Sequence, residues 1–120
     1  MKTIAVIRHQ HNGMTGDING SKRFELGKVG SRNLIKAFRL SGEVTGSEGY
    51  GAPYYTHEIH VAGVALEDTD ETRDLERAIC DPWILTSRHE GFWMDELGGK
   101  TTTELADAVL ATVAASAAFH

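Results

Sequence analysis

Cysteine occurs once in this 120-residue chain, at Cys80, and proline twice, at Pro53 and Pro82. A single thiol permits no intramolecular disulfide, so nothing in the composition calls for an oxidising compartment. No stretch approaches the roughly 18 consecutive apolar residues that a membrane-spanning helix needs. The first apolar run, Ile4 to Ile7, stops at Arg8 and is too short for a signal-peptide core, so a cytoplasmic chain is expected. Basic residues are also scarce: 12 Lys and Arg against 17 Asp and Glu give a formal net charge of −5. That balance argues against a general electrostatic nucleic-acid binder, while leaving room for a small local basic pocket. Neither nucleic acid nor a membrane is an expected partner.

What is present is ordinary for a folded domain: 41% hydrophobic and 24% charged residues, in a length that makes one domain over residues 1–120. Ile4 to Ile7 reads as a strand buried on both faces, as in the middle of a parallel sheet. Residues 12–23 are rich in Gly, Asn, Asp, Ser and Thr and read as a loop. Apolar positions from Leu26 to Leu40 gather on one side of a helix that ends near Ser41-Gly42. Residues 42–53 hold four glycines and Pro53, a second loop. "YYTHEIHVAGVAL" reads as one strand or as a strand running into a short helix. "DTDETRDLERAIC" is helical, capped by Asp68 with Glu71 or by Thr69, and stopped by Asp81-Pro82. "WILTS" follows as a short strand. Thr101 and Glu104 form a capping box for a last helix carrying Leu105, Val109 and Val113 at spacing four. This alternation predicts an α/β domain with a mostly parallel sheet.

The chemistry-bearing residues cluster at strand exits. Arg8-His9 ends the first apolar run, and Arg88-His89 follows "WILTS". In parallel α/β sheets, ligands bind outside the carboxyl ends of the strands. A guanidinium grips phosphate oxygens with paired hydrogen bonds, and a neutral imidazole can attack phosphorus. The pairs therefore point to a phosphate site. Plainer readings stand beside it: His9 bonded to a nearby carbonyl, and Arg8 in an ion pair with Asp17 or another carboxylate. His9 and His11, with His57 and His60, also have the spacing for a metal site. Trp83, Phe92, Trp93 and Met94 read as core or interface, Cys80 as an inert buried thiol, and Lys22-Arg23 as solvated surface. "GGKTT" lacks the upstream glycine of a nucleotide-binding loop, since position 94 is Met, so a nucleoside-triphosphatase site is excluded.

Four segments resemble the histidine phosphatase superfamily, which includes the cofactor-dependent phosphoglycerate mutases. "IAVIRHQHN" is similar to the family's opening strand and Arg-His-Gly signature, and "ELGKVGSRNLIKAF" to the segment after it. "PWILTSRHEGFW" resembles a Trp-x-Leu-Asn-Glu-Arg-His-x-Gly stretch, and "GGKTTTELADAVLATVAA" a Gly-Gly-Glu-Ser segment with its helix. The resemblance implies a three-layer α/β fold, a phosphorylated histidine at His9, and Arg8 as the first phosphate-binding arginine. Asn12 falls near the family's pocket asparagine. Gln10 stands in place of the signature glycine, Ser87 in place of the acid, and "HEIHVAGVAL" offers no second arginine. The family's final Ser-His-Gly strand has no counterpart before His120, unless "ILTSRHEG" takes its place with His89 as second histidine.

The expected site therefore comprises His9, Arg8, Glu90 and His89 as catalytic groups, with Asn12 and Arg88 binding substrate and no metal or cofactor. The expected function is phosphate-ester binding with slow phosphomonoester hydrolysis or phosphoryl transfer through a phosphohistidine. Its ligand would be a small phosphorylated molecule or a phosphoprotein. The alternatives are a non-catalytic binding or interaction protein on a degenerate version of that fold, and a small histidine-based metal-binding protein. Loss of a last strand would leave a sheet edge open, so a homodimer covering it is compatible.

Overall fold

A computed structural model describes residues 2–43, 49–80 and 101–115. Their elements are β1 (Thr3–His11), β2 (Ile18–Lys28), α1 (Ser31–Glu43), β3 (Tyr54–Val61), β4 (Val64–Ala65), α2 (Asp70–Cys80) and α3 (Thr102–Ala115). The strands form one sheet in the order β2-β1-β3-β4, and every pairing is antiparallel. This overturns the expected three-layer, mostly parallel, histidine phosphatase-like architecture.

Connection length explains the difference. β1 and β2 are joined only by residues 12–17, far too few for the crossover that parallel neighbours require. Asn12 builds that turn: its side-chain oxygen accepts from the Met14 and Thr15 amides at 2.8 and 3.1 Å. β3 and β4 are joined by Ala62 and Gly63 alone, both at positive φ (53° and 82°), the conformation of a two-residue type I′ hairpin. The "YYTHEIHVAGVAL" segment is therefore a strand, a turn and a second short strand.

Two further boundaries move. Residues 18–23, expected as loop, belong to β2, and Leu26 lies in that strand rather than at the start of a helix. β2 hides its period because it is an outer strand with a largely exposed surface; only Phe24 and Leu26 turn inward to pack against the core. α1 begins after Gly30, whose carbonyl accepts from the Leu34 amide, and it runs past Ser41-Gly42 to Glu43. The other helix starts follow local rules closely. Thr69 caps α2 by accepting from the Thr72 amide at 3.2 Å. Thr101 and Glu104 exchange both bonds of a capping box at the start of α3, at 3.1 and 3.2 Å.

The core gathers Ile4, Val6 and Val61 from one sheet face with Leu34, Phe38, Leu75, Leu105 and Val109 from the helices. α1 lies against β1, β2 and β3, while α2 and α3 pack chiefly on α1 and on each other. The apolar run of β1 is central, as expected, with Ala5 on the opposite face also buried. A central strand is equally apolar in an antiparallel sheet, so burial alone never fixed strand direction. "WILTS", Arg88, His89 and Glu90 lie outside the described residues. No helix among the described residues is long and apolar enough to cross a membrane.

Candidate functional site

Successive side chains on a strand point to opposite faces, so the register of β1 assigns each residue a side. Ile4, Val6 and Arg8 face the helices. Ala5, Ile7, His9 and His11 face the other way, beside Glu58 and His60 of β3 and Ser21 of β2. Arg8 and His9, expected to share one phosphate, are thus divided by the sheet.

On the helix side, Arg8 closes the polar end of the core. Its Nε donates to His57 Nε2 at 2.9 Å, a terminal nitrogen reaches the Leu40 carbonyl at 3.4 Å, and the guanidinium lies 5.0 Å from the Phe24 ring centre. The bond to Nε2 requires a neutral imidazole there. Burial, and next the positive charge of Arg8, lower the pKa of His57 below its usual value. Among the described residues Arg8 makes no ion pair with Asp17 or any other carboxylate.

On the other side, His9 sits between two partners. Its Nδ1 is 2.7 Å from Ser21 Oγ, and its Nε2 is 2.5 Å from Glu58 Oε2. The bond from His9 is the largest cause lowering the Glu58 pKa, which keeps that carboxylate ionised. With that carboxylate as acceptor, Nε2 of His9 is the donor to Glu58, and Nδ1 faces the Ser21 hydroxyl. His60 Nε2 lies 3.6 Å from the other Glu58 oxygen, beyond a direct hydrogen bond, and is a buried atom with no hydrogen-bond partner among the described residues. His11 stacks on Tyr54, with ring centres 4.7 Å apart, and its nitrogens meet the Gly16 carbonyl and Thr56 Oγ1 at 2.9 and 2.7 Å.

Hydroxyl, imidazole and carboxylate in series form the connectivity that activates a serine in hydrolases. Here Ser21 is exposed and the Glu58 side chain is 47% exposed, although the His9 side chain between them is 19% exposed. Catalysis by such a series depends on donors held in a water-excluded site around the developing charge. An exposed hydroxyl and a half-exposed carboxylate do not provide that setting.

The metal alternative fares similarly. His57 lies on the opposite face from His9 and His11, both nitrogens of His9 and of His11 are engaged by protein groups, and no three ligating side chains among the described residues could hold an ion. Asn12 uses its side chain to form the β1–β2 turn. Ser21, Thr56 and Glu58 were missed from the sequence, because only strand pairing brings them to His9 and His11; the "HEIH" alternation on β3 was the sole local hint.

A second feature lies along β3. A groove of about 860 Å³ runs beside this strand, with Phe38, Ile59 and Leu66 in its lining and Glu67, Asp68 and Glu76 contributing charge. β4 covers the outer edge of β3 only at His60 and Val61, and the Leu66 amide extends the cover to the Ile59 carbonyl at 2.7 Å. Since Ile59 turns its peptide groups outward, alternation turns those of His57 and Tyr55 outward as well. Among the described residues nothing pairs with them. Comparison with protein-family models, with curated proteins and with solved structures finds no match to this chain.

Proposed function

We propose that this chain is a non-catalytic binding module that takes up an extended polypeptide segment along the outer edge of β3. The observation that carries this reading is the stretch of β3 at Tyr55 and His57 that nothing among the described residues pairs with, opening onto the groove. An unpaired strand edge is a template for another strand, and proteins that need no partner there usually shield it. β2, the other outer strand, is shielded: it carries Lys22, Arg23 and Lys28, and its pairing with β1 is broken by two irregularities. β3 itself has no lysine or arginine.

The phosphate-ester reading has less support. It needs a free His9 nitrogen and a cation on the same side, whereas Ser21 and Glu58 engage both nitrogens and Arg8 lies across the sheet. The single cysteine keeps a cytoplasmic setting as part of the proposal.

Selection from a random peptide display library tests the reading. Enriched peptides should slow amide hydrogen exchange at Tyr55 and His57. Failure to enrich any peptide, or protection confined to other strands, would overturn it. So would phosphomonoester hydrolysis by the wild-type chain that His9→Ala abolishes.

A further inference from the structure

The charge around the groove narrows the occupant, an inference that rests on the strand-addition reading. Three carboxylates line its helix side, Glu67, Asp68 and Glu76, against one guanidinium, Arg73, while the Glu58 carboxylate is turned to His9 on the other face. Arg73 is already committed: its Nε lies 3.8 Å from Asp68, and a terminal nitrogen bonds Asp70. His57 adds no compensating charge, because Arg8 donates to its Nε2. Glu67 and Glu76 make no ion pair among the described residues.

We infer that the β3 groove selects an extended segment rich in lysine or arginine, added as a strand beside Tyr55 and His57. The main chain of the segment bonds the outward peptide groups of those two residues. A strand sends alternate side chains to opposite faces, so every second residue of the segment meets the helix-side groove. Apolar stems lie over Ile59 and Leu66, and the cationic heads reach Glu67 and Glu76. Lysine and arginine suit this division, since each joins an apolar stem to a charged tip. An acidic segment is rejected by like charge, and a neutral one gains only the main-chain bonds.

Three synthetic peptides of equal length test this, with alternating threonine and valine and either lysine, serine or glutamate at every fourth position. Binding to the full chain is read by fluorescence anisotropy at two salt concentrations, and Tyr55 and His57 amide exchange is followed alongside. The lysine peptide should bind about tenfold more tightly than the serine peptide, a ratio within reach of two exposed ion pairs. Added salt should shrink that ratio, and Glu67→Lys with Glu76→Lys should abolish it. Equal binding of lysine and serine peptides, with both amides protected, overturns the charge inference and leaves strand addition standing. Preference for the glutamate peptide also overturns it. Absence of binding by all three, with neither amide slowed, overturns strand addition itself. Protection of both amides before any peptide is added, whether at all concentrations or only where the chain self-associates, assigns the edge to this chain or a second copy and overturns the inference.

Discussion

Arg8 and His9 are neighbours in the chain and stand on opposite faces of the same sheet. Arg8 reaches inward to His57 and the Leu40 carbonyl, while His9 reaches outward to Ser21 and Glu58. Their roles separate accordingly, and so should the effects of removing them. Arg8→Ala strips a stem and a charged head from the polar end of the core and should cost about 1–3 kcal/mol, because hydrogen bonds to charged groups are the stronger kind. His9→Ala breaks bonds to the exposed Ser21 and the half-exposed Glu58, and should cost under about 1 kcal/mol. Urea denaturation of both variants checks the order. An equal or inverted cost would mean that the two faces are not divided in this way.

His57 makes stability depend on pH. Burial, Arg8 and His9 together lower its pKa from the usual 6.5, so the unfolded chain takes up this proton first as pH falls. The contribution is fully present above 6.5 and is lost as pH drops from there to the lower folded value. His57→Gln keeps an acceptor for Arg8 without titrating, and should flatten the denaturation midpoint across this window. A second loss should begin below the usual Glu58 value of 4.5, because that carboxyl is also held low in the folded state, and Glu58→Gln should remove it. An unchanged slope in either variant contradicts the assignment.

Ala62 occupies the left-handed region, at φ 53°, in a turn whose both central positions demand it. Asparagine tolerates that conformation better than alanine, so Ala62→Asn should stabilise the chain by about 0.5–1 kcal/mol. Gly63→Val should do the reverse, since Gly63 sits at φ 82° and a β-branched residue there is strained. Thermal melts of both variants decide it.

Gly13 is constrained by space rather than by φ. A Cβ at this position would collide with the carbonyl oxygens of Ala52 and Gly51, where the β1–β2 turn meets the approach to β3. These are backbone atoms and cannot rotate away. Gly13→Ala should therefore destabilise the fold and disturb the start of β3, whereas Gly20→Ala, with nothing within 4 Å of its added carbon, should be tolerated. Amide chemical shifts at Tyr54 and Tyr55 distinguish a local clash from a general loss of stability.

The helices were legible because their signals are local. Thr69, Thr101 and Glu104 cap neighbours a few residues away, and the apolar spacing of Leu75 with Ile79 and of Leu105 with Val109 falls within single turns. The first strand was legible from Ile4 to Ile7, although its direction relative to other strands was not. β2 was read partly as loop because an outer strand with one wet face offers few apolar residues to mark its period. The loop expected over residues 12–23 extends only over 12–17, and Asn12, expected to bind substrate, uses its side chain to form that turn.

By itself the sequence determined where α2 and α3 lie and the capping box of α3, since these follow from side chains within a turn or two of each other. The first helix starts at Ser31 rather than near Leu26, and of the run Ile4 to Ile7, expected buried, Ile7 is half-buried. The tertiary structure alone decided that the sheet is antiparallel, that His9 meets Ser21 and Glu58 while Arg8 meets His57, and that part of β3 is left unpaired among the described residues. Strand pairing joins residues separated by long stretches of chain, and a slip of one residue would exchange every side chain between the two faces. No local pattern in "VIRHQ" encodes that choice. It is made when the apolar face of β1 finds α1, and the alternation of the strand then sends Arg8 inward and His9 out.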